Sequence, residues 1–305
     1  ARQPLELLGL GSNPGGGAIF HGVVSQQLAV RLNGLMTQSA LAVVVLAAGQ
    51  GTRMKSEIAK VLHPLSGVPL IGHVLSTASA LEPDHIAVVV RHQRDAVADV
   101  VTDYVEDALI VDQDDVPGTG RAVELALQAL PKDFSGDVVV MSGDVPLLDS
   151  DTLHAVLDHH RAEGTALTLL TTVPDDPAGY GRVIRTESGG VARIVEDADA
   201  TEDERAIEEI NAGVYFVERS AASAALAALG TDNAQGEKYL TDMVESLHQA
   251  GHPVAGVLVE DSWLLEGIND RAQLSDVQAR LTRMTVRGWQ LSGVTIQDPA
   301  STMID

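Results

Sequence analysis

Between Leu41 and Asp144 four short runs of β-branched and small apolar residues alternate with longer stretches whose apolar residues recur near the helical period. Few folds accommodate that rhythm. The runs, at residues 41–47, 86–90, 108–111 and 138–141, are apolar almost throughout, which suits strands covered on both faces. The stretches at 70–81, 95–105 and 121–130 predict helices with one apolar face. Strand and helix in this alternation make βαβ units. The expectation is an α/β protein built on a doubly wound, mostly parallel sheet, a Rossmann-like arrangement.

Past Asp144 the rhythm loosens. Strands are expected at 165–172, 191–195, 213–217 and 254–259, helices at 221–229, 239–250 and 271–287, and a glycine-rich section at 179–190. These are expected to build a lobe over the carboxyl edge of the sheet, with the last strand and long helix closing the domain. Residues 1–35 contain Ser12-Asn13-Pro14-Gly15-Gly16-Gly17 and only broken apolar segments, so they predict a flexible N-terminal extension. Met36, ahead of Thr37-Gln38-Ser39 and the first strand, is a candidate natural start. The main domain is therefore placed at 36–290.

Acidic residues outnumber basic ones by 43 to 20, a formal charge of -23. Nucleic-acid affinity comes mainly from Lys and Arg displacing counterions, so DNA and RNA are excluded as expected partners. A phosphate site in such a chain has to be a local cluster of positive groups. There is no cysteine, which rules out disulfides and thiolate-bound zinc and leaves oxygen or histidine for any metal. No apolar run is long enough to span a bilayer, and a cytoplasmic location without membrane contact is expected.

The positive cluster follows the first strand. Residues 46–54 read LAAGQGTRM, and Arg53, Lys55 and Lys60 add charge within the same short span. The small residues and glycines of this segment let backbone N–H groups approach an anion, because a Cβ would obstruct turn and ligand alike. The dinucleotide fingerprint fails, since Met54 stands where a third glycine is needed, and no Gly-Lys-Ser/Thr follows to make a Walker loop. The same glycines also fit a plain strand-to-helix turn.

Further candidates sit at the ends of later strands. Asp144, in Ser142-Gly143-Asp144-Val145-Pro146, lies beyond the carboxyl edge, where α/β sheets bind ligands, and offers the hard oxygen that Mg2+ takes beside a triphosphate. Gln113 can pair with the imide edge of a pyrimidine, Gly118 and Gly120 permit close backbone approach, and Thr119 is placed to cap a helix starting at Arg121. Tyr180-Gly181-Arg182, Glu196 and Asn211 carry the paired polar groups that sugar hydroxyls require. Asn269 offers an amide oxygen to complete a metal site, or a helix cap.

Taken together, LAAGQGTRM with Lys60, Gln113 with Gly118-Thr119-Gly120, Gly143-Asp144-Val145-Pro146, Gly179-Tyr180-Gly181-Arg182, Glu196, Asn211-Ala212-Gly213 and Gly267-Ile268-Asn269 resemble the nucleotide-sugar pyrophosphorylases. Within them the match is to the uridylyltransferase domain of the bifunctional enzymes that make UDP-N-acetylglucosamine. The resemblance implies a nucleotidyltransferase fold with a sugar-binding lobe, and Mg2+-dependent transfer of UMP from UTP to N-acetylglucosamine 1-phosphate. It implies that Arg53 and Lys60 contact phosphates, that Asp144 and Asn269 hold Mg2+, and that the backbone of Leu46, Ala47, Ala48 and Gly49 carries the nucleotide. Gln113, Gly118 and Thr119 would then face the base, with Gly181, Glu196, Asn211 and Thr241 around the sugar.

Three positions depart from the family's pattern. Arg121 stands where histidine is common, Val116 where some members have a second glutamine, and Lys238 where some have tyrosine. The family's longer members continue into a left-handed β-helix that transfers an acetyl group and forms trimers. Residues 291–305 resemble the approach to it, so the expectation here is uridylyl transfer without acetyl transfer, in a monomer or weak oligomer. Thymidylyl or guanylyl transfer on the same fold, and a sensor that binds without turnover, are the alternatives.

Overall fold

The computed structural model describes residues 39–304, and the extension and start expected at residues 1–36 lie outside them. The described residues fall into two units, 39–279 and 280–304. In the first, β1 (Ala40–Leu46) is so thoroughly covered that Ala42 through Val45 are each 0% exposed. A small hairpin, β2 (Pro64–Leu65) and β3 (Val68–Pro69), leads into α1 (Leu70–Ala80) and β4 (His85–Val90). The alternation continues through α2 (Arg94–Tyr104), β5 (Leu109–Asp112), α3 (Thr119–Ala129) and β6 (Gly136–Ser142).

The second half brings α4 (Ser150–Glu163), β7 (Leu167–Thr172), β8 (Arg182–Arg185), β9 (Val191–Val195) and the one-turn α5 (Glu202–Arg205). After them come β10 (Ile210–Glu218), α6 (Arg219–Ala228), α7 (Asp242–Gln249), β11 (Val254–Leu258) and α8 (Arg271–Leu291). The main sheet runs β11-β7-β10-β6-β1-β4-β5. All its pairings are parallel except those of β10, which is antiparallel to both neighbours. Helices α3, α6 and α7 cover one face and α1, α2 and α4 the other, each with its own apolar core. Residues 280–304 carry the rest of α8 and a short irregular stretch, and among the described residues no helix is long and apolar enough to cross a membrane.

From β1 the chain steps outward to β4 and β5 and then returns to β6 on the opposite side of β1. The strand order therefore reverses between β1 and β6, where a crevice opens at their carboxyl ends. The Gly143 N–H donates to the Leu46 carbonyl at 2.9 Å, carrying the β1–β6 pairing one residue past the end of β6.

Two features differ from the sequence-based expectation. The strands expected to form a lobe at 165–172 and 213–217 are β7 and β10, which extend the main sheet together with the last strand, β11, and only β8 and β9 stand off its path. Helix α4 has no counterpart among the expected elements. Its Leu153, Val156, Leu157 and His160 are buried at helical spacing, but three histidines and three acidic residues across its length dilute the stripe. Asp149 caps it by accepting from the Thr152 N–H at 2.7 Å, and Gly164, at φ 61°, ends it in the left-handed region.

Candidate active site

The loop after β1 is shaped by its glycines and anchored by Met54. Gly51 has φ 65°, and a Cβ there would lie 2.5 Å from the Lys60 Cβ, so only glycine lets the loop fold back onto Lys60. Met54 is 1% exposed and plugs the core beneath, which explains why it occupies the place of a third fingerprint glycine. Gly49, Gln50 and Arg53 face solvent on top. Two distant side chains hold the loop from outside: Arg271 Nε donates to the Met54 carbonyl at 3.0 Å, and the Gln93 amide both accepts from the Ala59 N–H at 3.1 Å and donates to the Glu57 carbonyl. Gln93 itself adopts φ 49° to do so. Burial and the adjacent Arg271 charge lower the pKa of His63, favouring its neutral form.

Lys60 reaches back into the crevice, where Nζ bonds the Asp144 carboxylate and lies 3.2 Å from Asn269 Oδ1. The other Asp144 oxygen accepts from Ser142 Oγ at 2.6 Å. The Ile268 N–H donates to the Asp144 carbonyl at 2.9 Å, which lays residues 267–269 along the end of β6. Neither residue is a helix cap. The cap after β6 is Asp149, and at α8 it is Asp270 that accepts from the Ala272 and Gln273 N–H groups, both at 2.9 Å. Two hard oxygens from separate segments thus converge on one cation, 209 residues apart in sequence from Lys60 to Asn269.

On the other side of β1 lies the loop after β5. The Gln113 backbone N–H donates to the Val90 carbonyl at 2.9 Å and its side-chain Nε2 to the Gly118 carbonyl at 3.1 Å, so one of its amide N–H groups closes the loop. Thr119 does not cap a helix beginning at Arg121, as the sequence suggested. The helix starts at Thr119, with Gly118 at the cap position, and the Thr119 hydroxyl accepts from the Leu240 N–H at 3.2 Å because residues 237–241 pack against that helix end. Gly118 sits at φ 114°, and a Cβ would overlap the Lys238 carbonyl and come within 2.5 Å of its nitrogen. Gly118→Ala is therefore expected to destabilise the protein by about 2 kcal/mol, read from urea unfolding, through backbone strain and loss of this packing.

The third group of side chains gathers around β9 and β10. Thr241 Oγ1 donates to Glu196 Oε1 at 2.8 Å, and a Cβ on Gly181 would stand 3.6 Å from the other Glu196 oxygen. The Asn211 N–H donates to the Gly181 carbonyl at 2.9 Å, while its side chain is used at both ends, Nδ2 on the Tyr215 hydroxyl at 2.7 Å and Oδ1 accepting from the Gly213 N–H at 3.1 Å. Gly181, Glu196, Asn211 and Thr241 are thus brought together as one wall. Burial, reinforced by the charges of Asp242, Asp199 and Glu237, pushes the Glu196 carboxyl above the ordinary carboxylate value, against the Thr241 bond that lowers it. Tyr180 is raised by burial and then by the Glu266 and Asp144 carboxylates, with Arg53 opposing.

Three participants escaped the sequence reading, Ser142, Gln93 and Arg271, all of them supports. Ser142 stood beside Asp144 and was readable as a partner. Gln93 and Arg271 act through loops far away in sequence and left no local signal.

A strand-order reversal, a glycine-rich loop and an ion-paired carboxylate meet at the carboxyl edge of the sheet, and the family to which the chain belongs makes the class that of a nucleotidyltransferase. The chain belongs to the family of the MobA-like NTP transferase domain, whose model matches residues 43–248. It is 59% identical over 270 residues to the bifunctional protein GlmU of Leifsonia xyli subsp. xyli, covering 88% of this chain and 56% of that protein. To the bifunctional protein GlmU of Clavibacter sepedonicus it is 55% identical over 265 residues, covering 87% of this chain and 54% of that one. The chain thus spans about half the length of these curated relatives. Among solved structures, a UDP-glucose pyrophosphorylase complexed with UDP-glucose shares the fold with a TM-score of 0.63 at 13% identity, covering 80% of this chain and 99% of that one. A putative glucose-1-phosphate thymidylyltransferase from Bacillus anthracis does so at 0.62 and 17% identity, covering 86% and 99%.

Proposed function

We propose that this chain transfers UMP from UTP to N-acetylglucosamine 1-phosphate, with Mg2+, releasing pyrophosphate. The observation that carries the reading is the convergence of the Asp144 carboxylate and the Asn269 amide oxygen on one positive charge, at the switch point beside the glycine-rich loop. Those oxygens suit a hard divalent ion, and the Lys60 ammonium between them marks where positive charge is held. Such an ion, when bound, would offset the charge of the triphosphate. The rest falls to the chain's own groups. The backbone of Leu46, Ala47, Ala48 and Gly49 lines the nucleotide, and Arg53 and Lys60 neutralise phosphate oxygens as charge shifts to the leaving group.

In this reading an oxygen of the sugar 1-phosphate attacks the α-phosphorus of UTP in line, the bond to the β-phosphate breaks, and pyrophosphate departs with its electrons. Gln113, Gly118 and Thr119 border the base, and Gly181, Glu196, Asn211 and Thr241 border the sugar. This choice of substrates rests on the resemblance of the motifs given above, and the segment expected to act is 36–290. Pyrophosphate release measured for each pairing of nucleoside triphosphate and sugar 1-phosphate tests it. Preference for UTP with N-acetylglucosamine 1-phosphate is expected, and equal rates with other pairs would overturn it.

Glu196 supplies a pH-dependent test. Its raised pKa means the folded protein favours the neutral acid, so its contribution to stability is full below the unfolded value and is lost as pH rises through the folded one. Ionised Glu196 is the better acceptor for a sugar hydroxyl. The KM for the sugar 1-phosphate should therefore fall as pH rises through that same range. Thr241→Val removes the bond that holds the pKa down, and should move this fall to higher pH. A coincident pair of KM profiles for wild type and variant would exclude Glu196 from the sugar pocket.

A further inference from the structure

Two of the three positions that depart from the family's pattern, Arg121 and Lys238, meet at one carboxylate. Lys238 Nζ donates to Glu124 Oε2 at 2.9 Å, and Arg121 Nη1 donates to the same oxygen at 2.7 Å. Arg121 continues the chain of charge, its Nε bonding Asp114 Oδ2 at 3.0 Å in the loop after β5. Lys238 is only 8% exposed, and an ammonium so enclosed is costly to keep without a fixed partner. Burial opposes ionisation of Glu124, yet the Arg121 and Lys238 bonds hold its carboxyl below the ordinary value.

The main chain makes the same junction. The Lys238 N–H donates to the Pro117 carbonyl at 2.9 Å and the Gly120 N–H to the Lys238 carbonyl at 2.8 Å, a reciprocal exchange across Gly118. Three residues beyond Lys238, Thr241 bonds Glu196 in the wall around β9. Residues 237–241 are therefore pinned at one end to the loop that carries Gln113 and at the other to the wall that carries Glu196.

We propose that Arg121, Glu124 and Lys238 are positioning residues that tie the wall of the base pocket to the wall of the sugar pocket, so that each substrate binds more tightly once the other is seated. This rests on the assignment of the two pockets made above. An ionic chain that runs from exposed Asp114 through half-buried Arg121 and Glu124 to buried Lys238 serves register more than stability, and here the register fixed is that of two binding walls. None of the three side chains belongs to the phosphate loop or the crevice, so loosening the junction weakens binding while sparing the chemical step.

Steady-state kinetics on the full chain test this. Lys238→Met is expected to raise KM for both UTP and sugar 1-phosphate about tenfold, with kcat changed less than about threefold. Lys238→Arg should restore both KM values. Glu124→Gln should reproduce the defect, and the double variant should be no worse than either single one, as members of one network behave. Unchanged KM values, additive effects, or a loss confined to kcat would each overturn the proposal.

Amide hydrogen exchange reads the junction without turnover. The Gly120 and Leu240 N–H groups, bonded to Lys238 and Thr119, should exchange at least about tenfold faster in Lys238→Met. Should that variant fail to fold, Glu124→Gln is read in its place. If the wild-type protein released no pyrophosphate with any substrate pair, the assignment of pockets would fall. The junction would then be decided by exchange alone, with unchanged exchange overturning it.

Discussion

Asp144→Asn is expected to reduce kcat by about three orders of magnitude while leaving the fold intact. The amide matches the carboxylate in volume and can still accept from Ser142 Oγ, which stands 2.6 Å away. What disappears is the negative charge that, in the proposed reaction, would hold a metal ion beside the transferring phosphoryl group. The backbone should not notice, because Asp144 meets residue 268 through its carbonyl rather than its side chain. Pyrophosphate release across a range of Mg2+ concentrations, with circular dichroism as the control for folding, checks this. A rate within about threefold of wild type at saturating Mg2+ would remove Asp144 from the reaction.

Lys60→Met is expected to produce two effects of opposite character. Turnover should fall by about two orders of magnitude, since the loop loses the cation that the proposed reaction sets against phosphate. Without divalent ions stability should fall as well. The Lys60 and Asp144 side chains are only 15% and 13% exposed, so the carboxylate is left in a half-dry crevice with no counter-charge. The loss should be about 3 kcal/mol or less, given the water that still reaches both groups. Added Mg2+ should restore much of it, because the same two oxygens that receive Lys60 Nζ become free to hold the ion. Melting temperatures of wild type and variant, each with and without Mg2+, decide the matter. If Mg2+ raises the variant's Tm no more than the wild type's, the lysine and the metal do not share those oxygens.

The architecture near the phosphate loop was open to sequence reading because its signals are local. A run such as residues 41–47 is apolar on both faces, and only a strand buried on both faces uses such a pattern. Glycine at position 51 answers a steric demand within nine residues, the return of the chain onto Lys60. Helix α4 escaped because its buried stripe is thin and crowded by histidines and acids. The place of β10 escaped for another reason. Whether an apolar strand joins a sheet or forms a separate lobe depends on which edges are open when it arrives, and α4 carries the chain past one strand position that β10 later fills.

The sequence by itself determined the parallel α/β half, the loop at residues 46–60 as the site of positive charge, and Asp144 as a carboxylate at the sheet's carboxyl edge, all from periodicity, glycine placement and charge within short spans. The tertiary structure alone decided that Lys60 stands between Asp144 and Asn269, that Gln93 and Arg271 hold the glycine-rich loop, and that Arg121 and Lys238 share Glu124. The physical reason is range: a hydrogen bond or ion pair acts over about 3 Å in space and carries no mark of separation along the chain. Only the folding of the sheet, by bringing strand ends together, turns those distant residues into neighbours.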